Sequence, residues 1–429
     1  MDSHRTDRLP ARPRFLRLPR RSRLPHGRLV PGVLAAAVVA ALVVTVPGEE
    51  STRRACDGVT VKGWRTDDRM TAELARYADD NTRLDDWTGG DGSRSVRLPD
   101  GRILWMSADT FLDEVHGGRS RAPGPVWVRN AGLVLSSGGT VERTLLGEQQ
   151  GRNTALFAGT ATEDGREVWR WPVQAVVEPR GGGAGEQVVR VLLWQREAGS
   201  PPWVFGVPRA TEVATLSLPD LKLESLRTVH SAPGPEVDRR VLYGTSAVTR
   251  GGWTYVFGAD EGSVDGGPSR AHVARVPVGR LAEADAWRYW SGDGWRRDPA
   301  RSAPILVGKT PNRGATGTYS VVRHGDSWLL LTMDAGGPDG QGLSDIVSYW
   351  SCSPTGPWHG PSPVAKPPLP PGGPAAGAVP YNPQGHPAIG PGGELLVSYD
   401  VNVLGDPAAI HRDVELYRPR FLRLQLGPG

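Results

Sequence analysis

Two aspartates, Asp91 and Asp109, lie in the stretch Trp87–Phe111, WTGGDGSRSVRLPDGRILWMSADTF. Alternation at Val96 and Leu98, then the apolar run Ile103-Leu104-Trp105-Met106, reads as two strands joined by Pro99-Asp100-Gly101, a turn with glycine in the left-handed position. If those three residues are the loop, Leu98 pairs with Arg102, paired residue numbers sum to 200, and Asp91 falls opposite Asp109. Directly opposed residues of a hairpin have Cβ atoms about 4.5–5.5 Å apart, and like charges there are destabilising, so a retained pair points to use. An acid beside a second carboxylate has its pKa raised, which lets one donate a proton while the other stays ionised, the equipment of glycoside hydrolysis. The competing readings are strand-end caps and ligands of a structural Ca²⁺.

Similar hairpins recur. Apolar strands end at Asp260 (TYVFGAD), Asp334 (WLLLTMD) and Asp400 (LLVSYD), and a further hairpin, Val173–Val177 with Val188–Trp194, ends at Gln195 and Glu197 instead. The same turn arithmetic places Leu242, Thr316 and Pro383 opposite those three aspartates, so a paired terminal acid is expected in the first hairpin only. Arg129 and Asn130 follow the strand Val126-Trp127-Val128 and supply a cation and an amide, groups that bind sugar hydroxyls or cap loops. His386, in YNPQGHP, sits where the fifth unit begins and is expected to line a central pocket, with Tyr399 and Asn402 from the same unit. Trp171 and Trp87 are candidates for stacking on a sugar ring, against packing in the core.

These residues need a scaffold. The second-strand ends fall at 109, about 195, 260, 334 and 400, giving five units of about 65–85 residues and predicting an all-β fold, a five-bladed β-propeller over 82–429, with a pair of β-sandwiches as the alternative. The 56 Gly and 39 Pro suit short strands and turns. Asp67–Asp80 (DDRMTAELARYADD) has helical composition and lies in the linker 47–81. Val59–Trp64 and Tyr417–Leu426 are expected in one blade, closing the ring. Pro361–Pro380 reads as an irregular excursion between the fourth and fifth blades.

The charge distribution limits the partners. Residues 1–28 hold nine Arg and two Asp, a net of +7, against +4 for the whole chain of 429 residues. The body is therefore mildly acidic, which argues against nucleic acid. The basic tail precedes the 18-residue apolar run Leu29–Val46, a membrane-targeting segment that is either an uncleaved anchor, N-terminus inside, or a cleaved signal. Both options put the body outside the cytoplasm, where membrane contact runs through the N-terminal segment alone. In an exported chain the only two cysteines, Cys56 and Cys352, are expected to bond to each other. No metal-site spacing and no cofactor motif is present: there is no HExxH, GxSxG, P-loop or GxGxxG opening a helix.

The segments WTGGDGSRSVRLPDGRILWMSADTFL, LYGTSAVTRGGWTYVFGAD, HVARVPVGRLAEADAWRYWSG, TYSVVRHGDSWLLLTMD, GHPAIGPGGELLVSYDVN and YRPRFLRLQL, taken in that order, resemble an actinobacterial exported family long called a domain of unknown function. Some of its relatives are endo-D-arabinofuranases. The resemblance spans 82–426 and implies a five-bladed propeller with catalytic carboxylates in its central pocket. The acid pair maps to Asp91 and Asp109, the histidine of an HP motif to His386, and an Arg/Asn pair to Arg129 and Asn130. Two departures stand out: Ala108 precedes Asp109 where the pattern has Gly, and Trp171-Pro172-Val173-Gln174 lacks the Asp of a WPGD-like segment. The implied activity is hydrolysis of furanosidic linkages in a polysaccharide, D-arabinan foremost. The alternative is a non-catalytic propeller that binds envelope glycan or a protein partner.

Overall fold

The structure, a computed structural model, describes residues 56–429 apart from 84–85, 113, 118, 123, 184, 233, 235, 262–268, 309–313, 316, 335–342 and 390–392. The basic tail and the apolar run lie outside the described residues, as does most of the turn Gly390–Gly393. Among the described residues no helix is long and apolar enough to cross a membrane.

The fold is mostly β. Among the described residues, five antiparallel sheets of four or more strands follow one another along the chain. Sheet one holds Arg94–Arg97, Ile103–Ser107, Ala131–Leu135 and Val141–Leu145; sheet two runs from Thr160–Ala161 to Leu223–Ser231; sheet three is built on Leu242–Arg250, Trp253–Ala259 and Arg270–Pro277. Sheet four holds Ser320–His324, Ser327–Asp334, Asp345–Ser351 and His359–Ala365. Sheet five joins Val379–Gly385, Glu394–Asn402 and Arg420–Gly427 to the first strand of the body, Thr60–Thr66. The register of that last pairing runs from Thr60 opposite Gly427 to Thr66 opposite Leu422, so the expected union of the two ends of the body in one sheet is present.

Side chains on a strand alternate between faces, and here both faces are buried. Leu104 and Met106 pack with Val189, Val191 and Leu193 of sheet two, while their neighbours Ile103 and Trp105 pack with Leu396 and Phe421 of sheet five. In sheet four, Trp328 and Leu330 pack with Phe257 and Val273 of sheet three, whereas Leu329 and Leu331 pack with Val397 and Leu422 of sheet five. The second strands are therefore unbroken apolar runs and not half-polar ones. Sheets two and three meet through Leu192, Val213, Val256 and Ala274, so each sheet packs against its predecessor and successor and the fifth against the first.

The helix covers Asp68–Ala78, with Asp67 as its N-cap accepting from the Met70 amide at 3.0 Å. Its Met70, Leu74 and Tyr77 join the packing between sheets one and five. The irregular excursion is shorter than expected from sequence. Pro361 and Pro363 belong to His359–Ala365, the outer strand of sheet four, and Val379 already opens sheet five. Proline is tolerated there because an edge strand leaves donors unpaired.

Cys56 and Cys352 form a disulfide with Cα atoms 5.5 Å apart, 296 residues apart in sequence. The bond ties the segment entering sheet five to the residue that follows Asp345–Ser351 of sheet four. Replacing both cysteines by serine is expected to lower stability by about 2–5 kcal/mol, measured as the shift in chemical-denaturation midpoint. A midpoint equal to that of the parent protein would contradict it.

Candidate active site

The first hairpin has the expected register. Arg94 pairs with Met106, Val96 with Leu104 and Arg97 with Ile103. Gly101 takes φ +92°, and the Leu98 amide donates to the Arg102 carbonyl at 2.8 Å. The register continues through Gly90 opposite Thr110. Asp91 lies opposite Asp109: its amide donates to the Asp109 carbonyl at 3.3 Å, and its carbonyl accepts from Ala108 at 2.7 Å. Between them Gly92 takes φ +67°, where a Cβ would stand 2.9 Å from that of Ala108, so only glycine fits this bend.

Asp91 lines a cavity of about 330 Å³. Its Oδ2 accepts from the Tyr381 hydroxyl at 2.8 Å, and the Tyr417 hydroxyl also bonds it. Burial holds its pKa well above the usual carboxylate range, and the charges of Asp400 and Asp109 push the same way. Burial raises Asp109 too, against the opposing pull of Arg129 and Trp171. The Trp171 indole N–H donates to Asp109 Oδ1 at 2.9 Å, and Arg129 Nη1 reaches Oδ2 at 3.4 Å.

The third carboxylate was not foreseen as a site residue. Asp400, 1% exposed, lies near the end of Glu394–Asn402 in sheet five. Its Oδ2 accepts from the Gly92 amide at 2.7 Å and from Asn382 Nδ2 at 3.0 Å, while Oδ1 has no hydrogen-bond partner. Burial pushes its pKa up to about 6. Arg94, buried behind this group, donates to the Val173 and Ser93 carbonyls and has its own pKa lowered to about 10 by desolvation. A buried cation beside two buried acids limits how many protons they must retain.

The partner arithmetic needs correction in the later sheets. A bulge between Tyr381 and Gln384 sets Tyr381, not Pro383, opposite Asp400. A second bulge, between Tyr243 and Ser246, leaves Leu242 opposite Ala259, one residue short of Asp260. In sheet four the paired register ends at Ser320 opposite Leu331, and Thr316 lies outside the described residues. Paired terminal acids are also not confined to the first hairpin, because Asp334 is opposed to Asp345 on its other neighbour.

The remaining candidates divide. Trp171 and Asn402 line the cavity. Arg129 sits beside it, bridging Asp109 and Glu167 (2.8 Å) and stacked over Trp127 and Trp169. Asn130 is fully buried, with its amide bonded to the Phe157 backbone and the Arg170 carbonyl, which makes it a structural clamp. His386 does not line the cavity. Its two nitrogens face the Ser95 and Ser398 hydroxyls at 2.7 and 2.8 Å, its ring stacks on Trp105, and burial lowers its pKa to about 3. It is a neutral packing residue between sheets one and five. Tyr399 points into the core and donates to the Pro368 carbonyl. Trp87 is wholly buried. Among the described residues no group of three or more His, Cys, Asp and Glu is placed to hold a metal ion, which leaves the Ca²⁺ reading without a ligand set there.

The family described as Domain of unknown function (DUF5005) matches residues 75–426. No curated protein sequence matches the chain. A suspected hydrolase from Bacteroides ovatus has a similar structure, with a TM-score of 0.63 and 18% identity over 84% of this chain and 90% of that one; at that identity the likeness is one of fold. More distant are the GH43_1 enzyme of Xanthomonas citri complexed with xylose (TM-score 0.43, 15% identity, 82% and 92% covered) and native arabinanase from Bacillus subtilis (TM-score 0.40, 9% identity, 79% and 94% covered).

Asp400 generates a prediction. A pKa raised from 3.8 to about 6 means that the folded state holds this proton more tightly than the unfolded chain. The stabilisation is complete below about pH 4 and lost as pH rises through about 6, a cost of about 3 kcal/mol at neutral pH. Asp400→Asn keeps an acceptor for Gly92 and Asn382 and cannot ionise. Its melting temperature is expected to exceed that of the parent protein at pH 8 and to match it near pH 4. A difference that does not grow with pH would refute this.

Proposed function

The chain belongs to the family described as Domain of unknown function (DUF5005), and on that premise we propose that it is an exported glycoside hydrolase whose five sheets are the blades of one propeller. The observation that carries the reading is that Asp91 lines the cavity with Asp109 and Asp400 close enough for their charges, together with burial, to raise its pKa well above the usual carboxylate range. Asp91 is the acid that protonates the leaving oxygen. Asp109, kept closer to its ionised form by Arg129 and Trp171, is the base that activates water or the nucleophile. Asp400 keeps a negative charge close to Asp91 and so helps to keep the proton there.

The substrate is a polysaccharide with furanosidic linkages, D-arabinan first, by the resemblance of the ordered segments. Trp171, Tyr381, Asn382 and Asn402 line the cavity and supply a ring face and hydrogen-bonding groups for sugar hydroxyls. Export, with the body outside the cytoplasm and either anchored through Leu29–Val46 or released, is supported by the Cys56–Cys352 disulfide, since such bonds persist in oxidising compartments.

Purified residues 50–429 are expected to release reducing ends from arabinogalactan. Asp91→Asn and Asp109→Asn, folded by circular dichroism, are each expected to lower kcat by about 10²–10⁴-fold. Activity should fall at alkaline pH as Asp91 loses its proton. Binding of the glycan without hydrolysis, unchanged in both variants, would instead mark a non-catalytic propeller.

A further inference from the structure

Beside its groups for a sugar, the cavity at Asp91 carries apolar side chains that sugar hydroxyls do not use. Tyr381, Asn382 and Asn402 of sheet five give it hydrogen-bonding groups, Asp91 and Arg94 line it from the first hairpin, and the ion pair of Arg196 with Glu261 lines it beside Phe205. Sheet two contributes Trp171, Val173 and Trp194, sheet four Met333, and the segments beyond them Leu343 and Leu404. Rings of Trp serve a sugar face well. Aliphatic side chains offer a hydroxylated ring neither a flat stacking surface nor a hydrogen bond, and desolvating hydroxyls against them is unfavourable.

The mouth carries the same character outward. Phe205, 62% exposed, and Leu404, 61% exposed, both line the cavity. Val204 beside Phe205 in the chain is 64% exposed, and the half-exposed Trp127 stacks on Arg129 next to Asp109. Large apolar residues left in water singly need no explanation, but Phe205 and Leu404 exposed together on one cavity mark a binding surface for an apolar group. Phe205 and Leu404 line the same cavity as the acid Asp91, so a group seated on them belongs to the molecule whose bond is cut.

We propose that the cavity takes a glycoside whose sugar bears an apolar substituent, an alkyl or acyl chain, seated against Trp194, Phe205 and Leu404 while the sugar hydroxyls face Tyr381, Asn382 and Asn402. This rests on the glycosidase reading of the same site and adds the class of substrate to it. The chain length that fits is set by the 330 Å³ of space shared with the sugar.

The test compares octyl and methyl D-arabinofuranosides, with phospholipid vesicles as a third arm. The parent protein is expected to hydrolyse the octyl compound with kcat/KM at least about tenfold above the methyl one, the gain that burial of a few methylene groups supplies. Phe205→Ser and Leu404→Ser change exposed side chains, so folding should survive. Each is expected to reduce the octyl-to-methyl ratio severalfold, mainly through KM. An unchanged ratio in both variants, equal rates on the two compounds, or vesicle binding that disappears in both variants without any octyl preference would overturn the proposal. If neither compound is hydrolysed but calorimetry shows the octyl compound bound and the methyl one not, the substrate class stands and the catalytic reading fails. Hydrolysis of both at equal rates has the opposite meaning.

Discussion

The pairing of Thr60–Thr66 with Arg420–Gly427 is the contact on which the other features depend. It fixes the last strand between two neighbours, and that strand carries Phe421, Leu422 and Leu424 into the packing on both faces of sheet five. With sheet five complete, Leu396 and Phe421 hold sheet one in place through Ile103 and Trp105. The Gly92 amide can then reach Asp400. The acids of the site meet because two sheets far apart in sequence are packed side by side, and the hydrogen bond from Gly92 to Asp400 crosses 308 residues of chain.

That geometry separates what could be read from the sequence from what could not. The Trp87–Phe111 hairpin was legible to the residue, because a three-residue turn and a period of two determine a register without tertiary information. The repeat of such hairpins gave the five units, and the two ends of the body gave the closing strands. The later hairpins were less legible because bulges at Tyr243–Ser246 and Tyr381–Gln384 shift their registers, and a bulge leaves no clear mark in residue type. Asp400 was set aside for lack of an acidic partner within its own hairpin, although its partner lies in the neighbouring sheet. Its position after an apolar run, as for Asp109, was the available signal. His386 misled for a related reason: a histidine beside a strand start was read as facing the cavity, whereas Trp105 and two serine hydroxyls enclose it.

The electrostatics of the site balance without a metal ligand set among the described residues. Arg94 is buried with both of its donated bonds on carbonyls, so its charge is left to act on Asp91 and Asp400 and is not consumed in a bidentate pair. Arg129 does the reverse, since its guanidinium is shared between Glu167 and Asp109 and held flat between Trp127 and Trp169. Arg129 and Trp171 pull down the pKa of Asp109, whereas Asp400 and Asp109 add to burial in raising that of Asp91, and this difference separates two acids that the backbone places opposite each other.

The outer position of Thr60–Thr66 also has a consequence for the order of events in synthesis. Sheets one to four can be completed by residues that emerge consecutively, but this early strand has no partner until Arg420–Gly427 has been made. At about 5–20 residues per second, it waits tens of seconds as a free edge. Its exposed Lys62, Trp64 and Arg65 put two positive charges on that edge, and charged edge strands resist pairing with other chains. The strand that completes the molecule is thus also the one most exposed to mispairing, and its charges give it a means of remaining single until its partner arrives.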